Sequence, residues 1–315
     1  SSSHPIIDKR GTGTSESING SEGYEFRFDS VYNPYNSTQD LYRGNVKEVI
    51  KSCVRDGYNV TVFAYGQTGS GKTFTMMGSS QEDENKGIVP RSIEEVFQTI
   101  SQEDQNREYL LRVSYLEIYN ETLKDLLLDH DPSTNPITPS KLTIHENHKG
   151  RVYVNGLREE VVTDPLQVIN TLQKGEKARH VGATDWNERS SRSHTVFTMV
   201  YPDELNQIGM QISQLNLIDL AGSESAASSI ERRKEGSFIN KSLLSLSNVI
   251  SKLAKSEPHV PFRDSKLTRL LQTSLAGNAK VVVICAVSAN NESVAETLST
   301  LRFARRAKMV ITKAE

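Results

Sequence analysis

The octapeptide GQTGSGKT, Gly66 to Thr73, restricts the fold of this chain more than any other segment. It follows the apolar run VTVFAY (60–65) and precedes FTMM (74–77), so a strand and a helix are expected on its two sides. The segment fits the pattern G-x-x-x-x-G-K-[ST], in which backbone N–H groups point inward around phosphate groups. A glycine-rich turn that matches by chance is the alternative. The predicted strand and helix favour a nucleotide-binding loop.

Each residue type in this phosphate loop has a chemical task. The glycines let the backbone approach phosphate closely, and the N-terminus of the following helix adds a partial positive charge. Lys72 can reach the outer phosphates, and the Thr73 hydroxyl can ligate magnesium. The predicted nucleotide-binding residues of the loop are Gly66, Gln67, Thr68, Gly69, Ser70, Gly71, Lys72 and Thr73.

Short apolar runs alternate with longer amphipathic patterns along the chain. Runs rich in β-branched or aromatic residues predict strands over 60–65, 109–117, 195–201, 214–220 and 280–287. Helical periodicity predicts helices over 40–56, 92–101, 165–173, 237–253, 265–275 and 293–307. This alternation indicates one α/β domain, with a central, mostly parallel mixed sheet and helices on both faces.

Composition excludes several classes of protein. Of the 315 residues, 36% are hydrophobic and 24% are charged, which is ordinary for a globular chain. The longest apolar run, VVVICAV (281–287), is too short to cross a bilayer, and no stretch of signal-peptide length opens the chain. We therefore expect an intracellular protein with no membrane partner. Cys53 and Cys285 are too few for a disulfide framework or a zinc site, and we expect small core residues.

The charges are unevenly distributed, although the net charge is only −2. Residues 231–280 carry ten Lys or Arg against four Asp or Glu, whereas residues 1–230 carry 22 against 32. A solvated helical face is the ordinary explanation of such a run. A large acidic partner that binds the C-terminal third is the sharper hypothesis.

A second candidate element is DLAGSE (219–224), which ends the predicted strand QLNLI. An Asp at the carboxyl end of a strand can hold a magnesium shell through water. Gly222 can offer its N–H to a γ-phosphate, because no side chain blocks the approach. Alone the segment is a weak signal, since it can equally be a strand-to-loop turn that Asp219 caps.

The third element is NERSSRSH (187–194), eight polar or charged residues directly before the apolar strand 195–201. Polar groups beside a core are expensive unless they have partners. A triphosphate and its magnesium would provide them, through the hydroxyls of Ser190 and Ser191. Arg192 is placed to reach Glu224 in the second element.

With the phosphate loop, NERSSRSH and DLAGSE in this order along the chain, the sequence resembles a kinesin motor domain. GQTGSGKT, NERSSRSH and DLAGSE are similar to the phosphate loop, switch I and switch II of that family. Other similar stretches are FRFDSVY, FINKSL, VPFRDSKLTRLLQ and TLSTLRFARRAK, so the resemblance runs from about Tyr24 to Lys308. It implies a P-loop NTPase of kinesin type over residues 1–308, with 309–315 as the start of a neck linker.

The resemblance implies ATP or ADP with Mg²⁺ as ligands. In the family pattern Lys72 and Thr73 hold phosphate and magnesium, Ser191 and Asp219 complete the metal shell, and Gly222 senses the γ-phosphate.

The resemblance also implies the residues that act on the attacking water. Ser190 and Glu224 would orient and deprotonate it, and Arg192 would pair with Glu224 to close the two switches over the nucleotide. A buried pair of this kind stabilises little by itself, so its expected use is as a latch in one nucleotide state.

For the basic third of the chain the resemblance implies contact with the acidic surface of a microtubule. The predicted helix 237–253 extends about 25 Å, so it can transmit a switch movement to a distant face. Nucleic acid is the competing acidic partner, but no aromatic residues interleave with the basic ones. A second contact is expected at HENHKGRVYVNG (145–156), for which an exposed hairpin without a role is the alternative. The predicted contacts are Asn240, Lys252, Arg263, Lys266, Arg269, Lys149 and Arg151.

Two departures from the family pattern bear on the site. Before Phe26 the sequence does not show the usual apolar strand ending in Arg-x-Arg-Pro, whose Arg and Pro flank adenine. Either the strand is not included in this chain, or residues have dropped out of the sequence, or the adenine site has diverged. Phe74 is therefore the candidate that stacks on adenine. The segment SAASSIERRKEG after switch II departs from the usual T-G-A-x-G.

We expect an ATP-hydrolysing, plus-end-directed motor near the centromere-associated branch, dimeric through a coiled coil outside this chain. Cytoplasm and microtubules, including the spindle, are its expected location. The alternative is a nonmotile microtubule-binding module with passive or absent nucleotide turnover. Degenerate modules of that kind tend to lose residues of the chemistry, whereas Lys72, Ser190, Ser191 and Glu224 are all present.

Overall fold

The structure of the protein, a computed structural model, describes residues 24–79, 85–102, 111–128, 141–148, 150–181, 191–203, 211–224, 230–277 and 279–311. Its strands are β1 (Asn59–Tyr65), β2 (Leu111–Tyr119), β3 (Thr122–Asp125), β4 (Thr143–Glu146), β5 (Val152–Asn155), β6 (Glu160–Val162), β7 (His194–Asp203), β8 (Gln211–Asp219) and β9 (Ala279–Cys285). Seven of them form one sheet in the order β3-β2-β7-β8-β1-β9, with β6 beside β2.

The helices alternate with these strands, as the sequence predicts. They are α1 (Thr38–Leu41), α2 (Lys47–Arg55), α3 (Lys72–Met77), α4 (Ile88–Gln102), α5 (Pro165–Val181), α6 (Ile230–Ala254), α7 (Lys266–Leu270), α8 (Gln272–Leu275) and α9 (Val294–Lys308). A π-helical turn, Tyr42–Val46, joins α1 to α2, and the predicted helix 265–275 is interrupted at Leu271. Within the described residues, no helical segment has both the length and the hydropathy that crossing a membrane requires.

Side-chain alternation in β1 explains why helices cover both faces of the sheet. Val60, Val62 and Ala64 pack into the core that α2, α4 and α5 cover. Phe63 and Tyr65 point the other way, into the core beneath α6 and α9. A strand that is apolar on both faces must be buried on both. The predicted layered α/β fold with a mixed sheet is therefore confirmed.

The expectation of a mostly parallel sheet is wrong in one respect. Among the described strands only β1 pairs in parallel, with β8 and with β9. The ladders of β2 with β3, β6 and β7, and of β7 with β8, are antiparallel. Antiparallel neighbours need only a short turn, whereas parallel strands need a long crossover. Between β2 and β3 that turn is Asn120–Glu121, where both residues have positive φ.

The strand registers bring three loops to one edge of the sheet. Ala64 of β1 pairs with Asp219 at the end of β8, so the carboxyl ends of these parallel strands lie side by side. Thr195 of β7 also pairs with Asp219, and β7 runs in the opposite direction. The loop after β1, the loop after β8 and the segment before β7 therefore meet at one place.

The hairpin β4–β5 forms a separate two-stranded sheet. It lies against α7 and α8, because the Val152 N–H donates to the Thr273 hydroxyl at 3.2 Å and Arg269 Nη2 donates to Glu146 Oε2 at 2.7 Å. The hairpin and the basic segment that follows α6 are therefore parts of one surface.

We predict that Phe303→Ala lowers the free energy of unfolding by about 3–5 kcal/mol, because it removes a fully buried aromatic ring. Phe303 is 1% exposed and stacks on Tyr65 with 3.8 Å between ring centroids. Urea unfolding measures the change. Val294→Ala, at an exposed position of the same helix, is the control and should change stability by less than about 0.5 kcal/mol. Equal losses in the two variants would contradict the packing described here.

Candidate functional site

The phosphate loop leaves β1 through a turn that only glycine fits. Gly66 has φ +149°, and a Cβ atom there would lie 2.1 Å from the carbonyl oxygen of Ala286. Gly71 caps α3 with φ +94° in the left-handed region, and a Cβ there would meet no atom within 4 Å. The space beside Gly71 is therefore open, as a cradle for a ligand requires. Within the turn, Ser70 Oγ donates to the Gln67 carbonyl at 2.7 Å.

Lys72 is buried at the start of α3, with only 6% of its surface exposed. Its ammonium donates to the Gln67 carbonyl at 2.9 Å, inside the loop. Burial lowers the pKa of Lys72, while the carboxylates of Asp219 and Glu224 act in the opposite direction. A buried ammonium is expensive without an anion beside it. Its place in the loop therefore suits a bound phosphate.

Thr73 and Asp219, two of the predicted magnesium ligands, contact one another between the phosphate loop and β8. The Thr73 hydroxyl donates to Asp219 Oδ2 at 2.6 Å. Asp219 is 5% exposed, and within the described part of the chain its Oδ1 has no hydrogen-bond partner. Burial raises the pKa of this carboxyl, and the Thr73 hydrogen bond partly offsets the effect. A hydroxyl and a carboxylate with an unused oxygen fit a hard cation such as Mg²⁺.

The loop after β8, Leu220 to Glu224, contacts both other elements of the site. Gly222 N–H donates to the Ser191 carbonyl at 2.8 Å, and Ser223 N–H donates to the Gly66 carbonyl at 3.0 Å. A Cβ atom on Gly222 would lie 2.2 Å from Thr68 Oγ1. The three elements that the sequence singled out are therefore in direct contact. That the Gly222 amide senses a γ-phosphate, and that the Ser191 hydroxyl ligates metal, stay predictions.

The carboxylate of Glu224, from the loop after β8, contacts the phosphate loop. Its Oε2 accepts the Thr68 N–H at 2.8 Å, and its Oε1 accepts the Thr68 hydroxyl. Arg192 is half-buried at the end of the NERSSRSH stretch. The predicted latch between Arg192 and Glu224 stays a prediction.

The sequence reasoning assigned no role to His194, although it quoted the residue. The imidazole is 2% exposed, and its Nδ1 accepts the Ala221 N–H at 3.0 Å. Its Nε2 lies 2.8 Å from Ser242 Oγ on α6. Burial, with the nearby charges of Arg179 and Lys72, lowers the pKa of His194 to about 3, so the ring is neutral at physiological pH.

Arg179 is a second residue that the sequence reasoning missed. Its Nη2 donates to Ser193 Oγ at 3.0 Å, directly before β7. Glu117 of β2 and Glu176 of α5 each lie 3.7 Å from the guanidinium. The predicted helix 165–173 ended too early to place Arg179 here, since α5 continues to Val181.

Three predicted residues cannot be compared with the structure. Ser190 and Lys149 lie outside the described residues, and Asn240 lies within α6, where only its backbone is described. Phe74 is on α3 and is 52% exposed, so its side chain is accessible; its contact with adenine stays a prediction.

The other predicted microtubule contacts differ in how exposed they are and in how closely they are paired with neighbouring groups. Arg263 is the most exposed, with 80% of its side chain accessible, and its nearest carboxylate oxygen in Glu146 is 3.8 Å away. Arg269 and Lys252 are paired more closely, with Glu146 at 2.7 Å and Glu257 at 2.6 Å. Arg151 is half-buried and donates to Gln214 Oε1 at 3.0 Å. The backbone N–H of Lys266 donates to Glu121 Oε2 at 2.9 Å. Their role in binding a partner stays a prediction.

Comparison with known proteins gives a consistent result. The family model of the kinesin motor domain matches residues 3–310. Kinesin-related protein 11 of Dictyostelium discoideum is 46% identical over 304 residues, which are 92% of this chain and 43% of that protein. Kinesin-like protein KIN-7L of Oryza sativa subsp. japonica is 47% identical over 299 residues, which are 91% of this chain and 44% of that protein.

A solved structure of a fast kinesin is also similar. Its TM-score is 0.81 at 41% sequence identity, and the match covers 92% of this chain and 81% of that one. This chain spans less than half the length of the two curated relatives. The predicted start of a neck linker at residue 309 stays a prediction.

We predict that Lys72→Ala abolishes binding of ATP with Mg²⁺, because it removes the charge-assisted hydrogen bonds that hold the outer phosphates. Isothermal titration calorimetry should show at least an approximately 100-fold loss of affinity. The control is Lys174→Ala, which removes an exposed ammonium from α5 and should bind as the parent does. Parent-like affinity of Lys72→Ala would contradict the assignment of the phosphate loop.

We predict that His194 makes the protein less stable as the pH falls below about 6.5. Its pKa is about 3 in the folded chain and ordinary, about 6.5, when unfolded, so the unfolded state binds the extra proton between these values. The contribution of the neutral ring to the free energy of unfolding is fully present above about pH 6.5. Below that pH it falls by up to about 1.4 kcal/mol per pH unit. Urea unfolding at about pH 7, 6 and 5 measures this slope. His194→Gln should flatten it, and parallel curves for parent and variant would refute the prediction.

Proposed function

Because the chain belongs to the kinesin motor domain family, we propose that it hydrolyses ATP and couples its nucleotide state to microtubule binding and movement. The observation that supports this most is the direct contact of three loops around Lys72. Hydrogen bonds join the phosphate loop to β8 through Thr73 and Asp219, and join the two switch elements through Ser191 and Gly222. Such an arrangement can respond to the presence of one phosphate group.

The chain's own residues bind and orient the nucleotide. The open space beside Gly71 and the N-terminus of α3 receive phosphate, and Lys72 neutralises its outer charge. Thr73 and Asp219 would hold Mg²⁺, with Ser191. When bound, that ion neutralises charge on the phosphates. Positioning and electrostatics of this kind account for most of the rate of phosphoryl transfer.

Glu224 is the proposed base, with Ser190 orienting the water. The carboxylate of Glu224 already lies at the loop, where it accepts two hydrogen bonds from Thr68. The Gly222 amide likewise donates to the Ser191 carbonyl. For the Gly222 amide to donate to a phosphate, its bond to the Ser191 carbonyl must break, and the two switches must then move relative to one another. This exchange is how cleavage of the γ-phosphate would change the shape of the site.

Helix α6 connects this site to the surface that carries Lys252, Arg263, Lys266 and Arg269, which we call the basic face. It has 25 residues, so it is about 37 Å long, and Lys252 lies in its last turn. Arg263, Lys266 and Arg269 follow it, and Arg263 and Arg269 lie beside Glu146 of the hairpin β4–β5. Cations on one face attract the acidic surface of a microtubule, and the attraction falls as salt rises. The expected plus-end direction, the dimer and the place in the cell stay predictions.

Steady-state ATP hydrolysis with and without microtubules tests the proposal. A motor domain should turn over faster when microtubules are added, and should lose affinity for them as ionic strength rises. Binding to microtubules without any hydrolysis would favour the nonmotile module instead. Absence of both activities would refute the proposal.

We predict that Glu224→Ala binds ATP near the parent affinity but hydrolyses it at least about 100-fold more slowly, because general base catalysis contributes on that order. A single-turnover assay measures the hydrolysis step separately from binding. Glu48→Ala removes an exposed carboxylate from α2 and is the control for loss of charge. Hydrolysis by Glu224→Ala at the parent rate would show that Glu224 is not the base.

A further inference from the structure

His194 is held in a single tautomer by two partners. Because its Nδ1 accepts the Ala221 N–H, the proton of the neutral ring must be on Nε2. Nε2 therefore donates to the Ser242 hydroxyl, 2.8 Å away. The imidazole has no freedom to flip without losing both hydrogen bonds inside a buried site, where each unmade bond is expensive.

The backbone of His194 is fixed in the sheet, and the two hydrogen-bond partners of its ring belong to other elements. His194 opens β7 and pairs with Ile118 of β2 in the sheet, and β8 holds the next residue of β7 through Asp219. Ala221 belongs to the switch II loop, directly before Gly222. Ser242 belongs to α6 and is 2% exposed. One side chain thus joins the sheet, switch II and the long helix.

Ser242 lies near the middle of α6, about 18 Å from each end of the helix. One end begins shortly after switch II, and the other carries Lys252 toward the basic face. Helix α9 is also attached to α6, because Arg306 Nη2 donates to Ser247 Oγ at 2.9 Å. A hydrogen bond weakens steeply when its atoms separate. A shift of α6 against the sheet must therefore either break the bond between Ser242 and His194 or move the His194 ring with the helix.

We propose that His194 is a positioning residue that carries the effect of microtubule contact from α6 to the switch II backbone at Ala221 and Gly222. The inference rests on the proposed function and adds a route by which the partner regulates the same site. In this role His194 touches neither nucleotide nor water. Its effect is on the placement of the Gly222 amide, through the peptide unit that joins Ala221 to Gly222.

Two substitutions at position 194 and one at Ser242 separate the two bonds of the ring. In His194→Asn the short side-chain carbonyl can still accept from Ala221 but cannot reach Ser242, whereas His194→Gln can reach Ser242 and loses the acceptor at the Nδ1 position. Ser242→Ala removes the partner on α6. Ser245→Ala is the matched control, since Ser245 is also buried one turn further along α6. Among the described residues, Ser245 makes no hydrogen bond to the switches.

The readout is the ratio of microtubule-stimulated to basal ATPase rate. We expect this ratio to fall about five- to tenfold in Ser242→Ala and in His194→Asn, as loss of one buried hydrogen bond predicts. Basal rate and KM for ATP should stay within about twofold of the parent in Ser242→Ala, and Ser245→Ala should keep the parent ratio. A merely structural role would lower basal and stimulated rates together and leave the ratio unchanged.

A double-mutant cycle tests whether the two residues act through their mutual contact. His194→Asn combined with Ser242→Ala should lower the ratio no further than either change alone. A product of the two single effects would overturn the proposal, as would a parent-like ratio in Ser242→Ala or an equal fall in Ser245→Ala. Should His194→Asn fail to fold, His194→Gln replaces it: this variant breaks the bond to Ala221 instead, so the ratio should again fall, and adding Ser242→Ala should lower it no further.

The same experiments distinguish failure of this inference from failure of the proposed function. If the parent hydrolyses ATP without any stimulation by microtubules, the proposed function is wrong and the inference falls with it. If the parent is stimulated and the ratio survives in both Ser242→Ala and His194→Asn, the motor function stands and only the inference is overturned.

Discussion

The parallel pairing of β1 with β8 is the constraint on which the site depends. It sets Ala64 opposite Asp219, so that the phosphate loop and the switch II loop leave the sheet side by side. Because side chains alternate along a strand, a slip of one residue would turn Asp219 to the other face, away from Thr73. The contacts between these two loops, such as the hydrogen bond from the Ser223 N–H to the Gly66 carbonyl, presuppose this register.

Burial gives the site its chemical character and destabilises the fold in doing so. Lys72 and His194 have lowered pKa values and Asp219 a raised one, and in each case loss of water is the first cause. All three shifts disfavour the charged form. A ligand with phosphate and a cation would reverse that penalty for Lys72 and Asp219, but not for His194. The first two therefore suit binding, whereas His194 suits a fixed neutral hydrogen-bond network.

Local patterns predicted the long elements and the three loops, but not the elements that tertiary contacts create. The strand β3 has four residues and β6 has three, too few for alternation to show. Helix α5 continues beyond its predicted end to Val181, and at Gly175 it packs so closely on Tyr115 that a Cβ atom would lie 2.4 Å from the ring. For the same reason Arg179 and the bonds of His194 could not be predicted, since their partners are distant in sequence.

Internal carboxylates neutralise part of the basic face, and this would decide how the face binds an acidic partner. Glu146 lies beside both Arg263 and Arg269, and Glu257 beside Lys252. A carboxylate of an acidic partner must compete with these internal acids, so each exchanged pair contributes little net free energy. Exchange at Arg269 would also loosen the hairpin β4–β5 from α7, because that ion pair joins them. The binding energy of an acidic partner at this face would therefore come from many weak contacts, and part of it would be available to move the elements that carry them.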